Sequence, residues 1–141
     1  MPHLTVEYSA NLGEQARMPA LMRELATALL DQRAEDGKPV YPKGGVRVRA
    51  LPCADYCVGD GSMPDAAFVH ATLRVGRGRS ADTLKATGDA ILATLTQHFA
   101  ELYAQRGLAL SAAVEEFGPL GTWKQNNLHE RLRAADAARA G

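Results

Sequence analysis

Four places in the chain carry side chains or a terminus that could do chemistry. Pro2 stands behind the initiator methionine. Initiator Met is generally removed when a small residue such as proline follows, which leaves Pro2 as a free secondary amine. Such an amine is a base and a nucleophile. It is ordinarily too basic to be unprotonated at neutral pH, but burial and neighbouring cations both lower its pKa and bring it into the range useful for general-base catalysis. Arg47 and Arg49 alternate with Val46 and Val48, so in a strand both arginines lie on one face. A buried or covered Arg needs an anion, either a carboxylate of the protein or a ligand.

Gly76-Arg77-Gly78-Arg79-Ser80 reads as a strand-loop-helix junction. Free N–H groups and the helix dipole favour an anion at a helix start, and Arg79 adds a bidentate donor. The stretch lacks the Gly-Lys-Ser/Thr of a P-loop and the third glycine of a dinucleotide fingerprint. Lys124-Gln125-Asn126-Asn127 is a polar run after Trp123, whose amides can orient a polar ligand. His3, His70, His98 and His129 have no metal-ligand spacing, so no metal site is expected.

These groups need elements to hold them. His3 to Tyr8 alternates as a short strand that begins almost at the amino terminus and so places Pro2 in the body of the fold. Leu21, Met22, Leu25, Ala28 and Leu29 recur at helical spacing after Pro19 and end by Arg33. A Gly- and Pro-containing loop follows. Val46 to Leu51 is a second strand, interrupted by Pro52, and Ala66 to Val75 is the longest strand. Ser80 is a good N-cap for one long helix reaching about Arg106 on the face of Leu84, Ile91, Leu92, Leu95, Phe99 and Leu102. Ala109 to Phe117 is a last strand, Trp123 to Asn127 is irregular, and Leu128 onward is an Ala/Arg-rich helix or frayed tail.

The order is β-α-β twice, over residues 3–51 and 66–117. Right-handed crossovers make this a two-layer α/β sandwich with both helices on one sheet face. Parallel strands are usually buried on both sides, so the other face calls for a cover, and oligomerisation supplies one economically.

Composition narrows the function further. The 141 residues fit one domain, and 16 Lys+Arg balance 16 Asp+Glu. A nucleic-acid or acidic-membrane binder would carry a basic excess. No apolar run approaches the ~20 residues of a membrane span, and the amino terminus lacks the basic and apolar regions of a signal peptide. Cys53 and Cys57 would stand about 13 Å apart in an extended segment, too far for a disulfide. The expectation is a cytoplasmic protein with two reduced thiols.

Taken together, Met1-Pro-His-Leu-Thr-Val-Glu-Tyr-Ser-Ala-Asn-Leu12, Gly45-Val-Arg-Val-Arg49, Ala67-Phe-Val-His-Ala-Thr-Leu73, Gly76-Arg-Gly-Arg-Ser80 and Lys124-Gln-Asn-Asn-Leu-His129 resemble the tautomerase superfamily, and within it the 5-carboxymethyl-2-hydroxymuconate Δ-isomerases. The resemblance covers residues 2–132 in order, as a single tautomerase-like domain, and leaves 133–141 as a C-terminal extension. It implies a four-stranded mixed sheet of α+β class, a homotrimer whose sheets face its core, and no cofactor. It makes Pro2 the catalytic base and Arg47 and Arg79 substrate-binding residues, with Asn126 and Asn127 shaping the pocket. The implied reaction turns a polycarboxylate dienol into its conjugated keto isomer during homoprotocatechuate breakdown. Two other readings share these residues: a different proline-dependent activity of the superfamily, and a trimeric binding protein without turnover. Ala34 to Lys43 and the residues after Leu132 depart from the family's usual length.

Overall fold

The computed structural model describes all 141 residues. Strand β1 (His3–Ser9) leads through a 3-10 segment, Ala10–Ala16, into helix α1 (Met18–Leu30). A loop and a short 3-10 turn, Lys43–Gly45, precede β2 (Arg47–Cys53). Then come β3 (Ala67–Val75), α2 (Ala81–His98), α3 (Ala100–Gln105), β4 (Leu108–Glu116) and α4 (Leu128–Ala140). The sheet order is β2-β1-β3-β4. β2 runs parallel to β1 and β4 parallel to β3, while β1 and β3 are antiparallel. Each β-α-β unit therefore contributes one parallel pair, and the antiparallel seam between β1 and β3 joins them into the expected mixed sheet.

The core follows from strand alternation. Leu4 and Val6 on β1 and Ala67, Val69, Ala71, Leu73 and Val75 on β3 are buried. They pack beneath α1, which presents Leu21, Leu25 and Leu29 at four-residue spacing, and α2, which presents Thr87, Ile91 and Leu95. The polar Thr87 is satisfied there: it lies 2.8 Å from the Tyr41 hydroxyl and donates to the Thr83 carbonyl at 3.0 Å. Ser80 caps α2 by accepting from the Thr83 amide at 3.1 Å. Leu73 lies at the centre of this layer with no exposed surface. Leu73→Ala should cost about 2–5 kcal/mol of stability, read from the midpoint of a urea melt; a shift corresponding to less than half a kcal/mol would mean the site collapses around the lost side chain.

Two expectations change. Pro52 does not interrupt the second strand, because β2 continues to Cys53. β2 is an edge strand, where a missing N–H need cost no ladder bond. The long helix expected to Arg106 breaks at Phe99, which has φ −97° and ψ 14°. Successive residues of a regular helix point about 100° apart, yet both the His98 side chain and Phe99 are about 99% buried. The loosened turn lets both go inward. His98 Nε2 meets the Ala16 carbonyl and its Nδ1 meets Glu24, each at 2.7 Å. Leu92, expected on the buried face, is 42% exposed.

The opposite sheet face carries His3, Thr5 and Glu7 of β1, Arg47, Arg49 and Leu51 of β2, and His70, Thr72 and Arg74 of β3. No helix covers it. Residues 133–140 continue α4 without a break, and α4 packs on the Lys43–Gly45 turn. Cys53 and Cys57 are both free thiols. No helix is long and apolar enough to cross a membrane.

Candidate active site

The site forms at the start of the sheet, where β1 and β2 begin side by side. Pro2 is buried. Its carbonyl accepts a hydrogen bond from the Arg47 amide at 3.0 Å, which extends the β1–β2 ladder backward by one step and fixes the terminus. The ring lies against Gly45, where an added Cβ would sit 3.4 Å from Pro2 Cδ and 3.3 Å from Pro42 Cγ. Beside it, a Cβ on Gly44 would fall 2.6 Å from His129 Nδ1 and 2.8 Å from the His129 amide nitrogen. The first turn of α4 thus closes directly onto bare backbone. Gly44→Ala should push α4 away, costing about 1–3 kcal/mol in overpacking and lowering activity although it alters no ionisable group. A thermal melt paired with a rate measurement checks this, and wild-type values in both would refute it.

Arg47 opens β2. Its Nη1 donates to the carbonyls of Gly44 at 2.9 Å and Val46 at 3.1 Å. Asn126 reaches the same Gly44 carbonyl with Nδ2 at 3.1 Å, while its Oδ1 accepts from the Leu128 amide at 2.7 Å. Met1 precedes Pro2, and its sulfur accepts from Arg47 Nη2 at 3.9 Å and Asn126 Nδ2 at 3.5 Å. The methionine side chain therefore fills the space between these two donors.

Arg79 comes from the β3–α2 junction. Its Nη1 donates to the Gly76 carbonyl at 3.2 Å and its Nη2 to the Val40 carbonyl at 3.4 Å. Its guanidinium lies 4.8 Å from the centre of the Tyr41 ring, a cation–π distance. Tyr41 is 1% exposed and anchored on Thr87. The loop that departs from the family's length thus supplies the platform beneath Arg79.

The charges converge on the amino terminus. Burial, then Lys124, Arg79 and Arg47 in that order, hold the Met1 amino group below its ordinary value. The Pro2 nitrogen is one residue further on and lies in the same field. None of Arg47, Arg79 or Lys124 forms an ion pair with a carboxylate of the chain. Three cations, free of internal partners and gathered about an amine, can bind an anion and favour the unprotonated amine at once. No cluster of His, Cys, Asp and Glu able to hold a metal ion occurs.

Pro2, Arg47, Arg79 and Asn126 are thus brought together. Asn127 is exposed at the start of α4, and its side chain makes no cap hydrogen bond. Lys124 and Tyr41 were not singled out from sequence. Lys124 opens the Lys-Gln-Asn-Asn run and could have been weighed as a third cation. Tyr41 left no signal, because only the folded loop sets it under Arg79.

A duplicated β-α-β sandwich with a proline amine among unpaired cations at the head of its sheet defines a tautomerase-type isomerase. Residues 2–132 match the family model for 5-carboxymethyl-2-hydroxymuconate isomerase. The chain is 37% identical over 129 residues to the 5-carboxymethyl-2-hydroxymuconate Delta-isomerase of Escherichia coli, covering 92% of this chain and 97% of that one. It is 49% identical to a 5-carboxymethyl-2-hydroxymuconate isomerase of Deinococcus radiodurans R1 whose crystal structure superposes with a TM-score of 0.84 over 94% of each chain. A fused 4-OT solved as a symmetric trimer, at 14% identity and a TM-score of 0.61 over 86% of this chain and 90% of that one, shares the fold alone. The chain belongs to the 5-carboxymethyl-2-hydroxymuconate isomerase family and is an isomerase.

Proposed function

We propose that this protein converts 5-carboxymethyl-2-hydroxymuconate to its conjugated keto isomer, with the amine of Pro2 as general base after removal of Met1. The observation that carries this reading is the convergence of Arg47, Arg79 and Lys124 on the amino terminus with no carboxylate to neutralise them. The substrate is a dienol bearing three carboxylates, two from the muconate and one from the carboxymethyl arm. Arg47 and Arg79 each keep N–H groups beyond those spent on backbone carbonyls, and offer them to a substrate carboxylate.

Pro2 nitrogen takes the 2-hydroxyl proton. The electron pair left on oxygen becomes the keto C=O, and the double bonds shift along the chain. The protonated amine returns a proton at the carbon end of the conjugated system. The exchange is redox-neutral and regenerates the base. The arginines stabilise the negative charge while the dienolate exists. Asn126 holds the Gly44 turn in place and, with Met1 gone, presents its amide to the substrate; Asn127 remains the other candidate of that pair.

We further read the working form as a cytoplasmic homotrimer in homoprotocatechuate catabolism. Supporting this are the uncovered sheet face, the unpaired edges of β2 and β4, and the exposed Leu51, Leu92 and Tyr103, at 49%, 42% and 62%. The trimeric fused 4-OT shows that the fold supports such an assembly.

The test is the intact mass of untagged protein followed by the dienol assay on that sample. Loss of Met1 with rapid isomerisation is expected. A retained Met1 in a fully active sample would overturn the base assignment, since the Pro2 nitrogen would then be an amide.

Activity should rise with pH as the amine deprotonates. Because the surrounding cations lower its pKa, the rising limb should lie below the range of an unperturbed amine. Lys124→Ala removes one of them and should move the limb to higher pH. An unmoved limb in a kcat/KM–pH profile would take Lys124 out of the field at the amine.

A further inference from the structure

Next to the amino terminus, on the uncovered sheet face, lies a cleft of ≈ 300 Å³. Arg49, Arg74 and Lys124 line it with His3, between the rings of Phe117 and Trp123. Arg74 is partly engaged, 3.7 Å from Glu115 and 5.4 Å from the centre of the Phe117 ring. Arg49 has only a ring nitrogen for a partner, His3 Nδ1 at 3.2 Å. Like Lys124, it has no carboxylate. His3 is kept neutral by burial and then by Arg49, the amino terminus, Arg47 and Arg74. A neutral His3 can accept from Arg49 at Nδ1 and leave Nε2–H as a donor. The cleft therefore offers donors and positive charge and almost no acceptor.

Met1 belongs to the lining of this cleft as well as to the contacts of Arg47 and Asn126. Its removal joins the cleft to the Pro2 nitrogen. Arg49 lies two residues along β2 from Arg47, with both side chains on the same face. That spacing is about 6.6 Å, on the scale of the substrate's own carbon chain.

We infer that this cleft is a subsite for a second carboxylate of the substrate, the carboxymethyl arm, with Arg49 as a specificity-determining residue and Phe117 and Trp123 walling the carbon chain. The inference rests on the reading of the substrate given above. Arg47 and Arg79 hold the reacting end. Arg49, with Lys124 beside it, recognises the arm that distinguishes a three-carboxylate dienol from a two-carboxylate one.

The experiment compares wild type, Arg49→Gln and Arg49→Lys on two substrates that share the reacting dienol: 5-carboxymethyl-2-hydroxymuconate and 2-hydroxymuconate, which lacks the arm. In Arg49→Gln the ratio of kcat/KM for the first over the second should fall about tenfold, mainly through KM. Arg49→Lys should recover part of the ratio by restoring charge without the fork. A ratio equal to that of wild type in Arg49→Gln overturns the subsite, whether both activities drop together or neither does. Should wild type turn over 2-hydroxymuconate and not the three-carboxylate dienol, the substrate reading fails on its own. The subsite is then read by inhibition of that turnover with tricarballylate against glutarate. Loss of the preference for tricarballylate in Arg49→Gln supports it, and an unaltered preference overturns it.

Discussion

Pro2→Ala in the mature protein should isomerise the dienol about 10²–10⁴-fold more slowly, the usual contribution of a positioned general base, while its circular dichroism and melting temperature stay near those of wild type. The size of the effect follows from how tightly the nitrogen is placed. The Pro2 carbonyl is held by the Arg47 amide at 3.0 Å, and the ring rests on Gly45. Alanine keeps an amino group but gives up the ring that aims it and the secondary amine's basicity. A variant that retains Met1 goes further, since its position-2 nitrogen is an amide and the methionine side chain lies between Arg47 and Asn126. A rate within a few-fold of wild type in both variants would remove Pro2 from the chemistry.

Arg79→Ala carries the second large expectation, a loss of about 10²–10³ in kcat/KM, the scale of deleting one donor aimed at developing negative charge. Arg79 is held from two directions, by the carbonyls of Gly76 and Val40, and its plane is set by the Tyr41 ring 4.8 Å away. Lysine keeps the charge but neither the planar fork nor the stacking, so Arg79→Lys should recover only part of the loss. Because Arg79 also lowers the affinity of the amine for protons, both variants should shift the rising pH limb upward, alanine further than lysine. Wild-type kinetics and an unmoved limb in Arg79→Ala would place the guanidinium outside the site.

Much of this was legible in the order of residues. Alternation at His3–Tyr8 and Ala66–Val75 marked the central strands to within a residue, because strands packed on one face must bury every second side chain. The Arg47 and Arg79 positions stood at the head of a strand and at a strand-helix junction, where short-range pattern is informative. The break at Phe99 was not legible, since the pattern of apolar residues continues through it and only the shared burial of His98 and Phe99 ends α2. Pro52 misled for a related reason: whether a strand tolerates proline depends on whether it lies at the edge of the sheet, and sheet order is decided by pairing between distant segments.

The chain's own pattern determined two β-α-β units, a terminus pinned to the first strand, and the residue types able to bind carboxylates there. Local propensity and alternation suffice for these, because each is settled within a few residues. Tertiary structure decided which cations meet. Lys124 stands far along the chain from Pro2, and Tyr41 lies in a loop without periodicity. They join the site because α4 closes onto the bare backbone of Gly44 and because the β3–α2 junction lays Arg79 across the Tyr41 ring. Electrostatic coupling falls off with distance in space rather than along the chain, so the field at the amine exists only once those segments have packed.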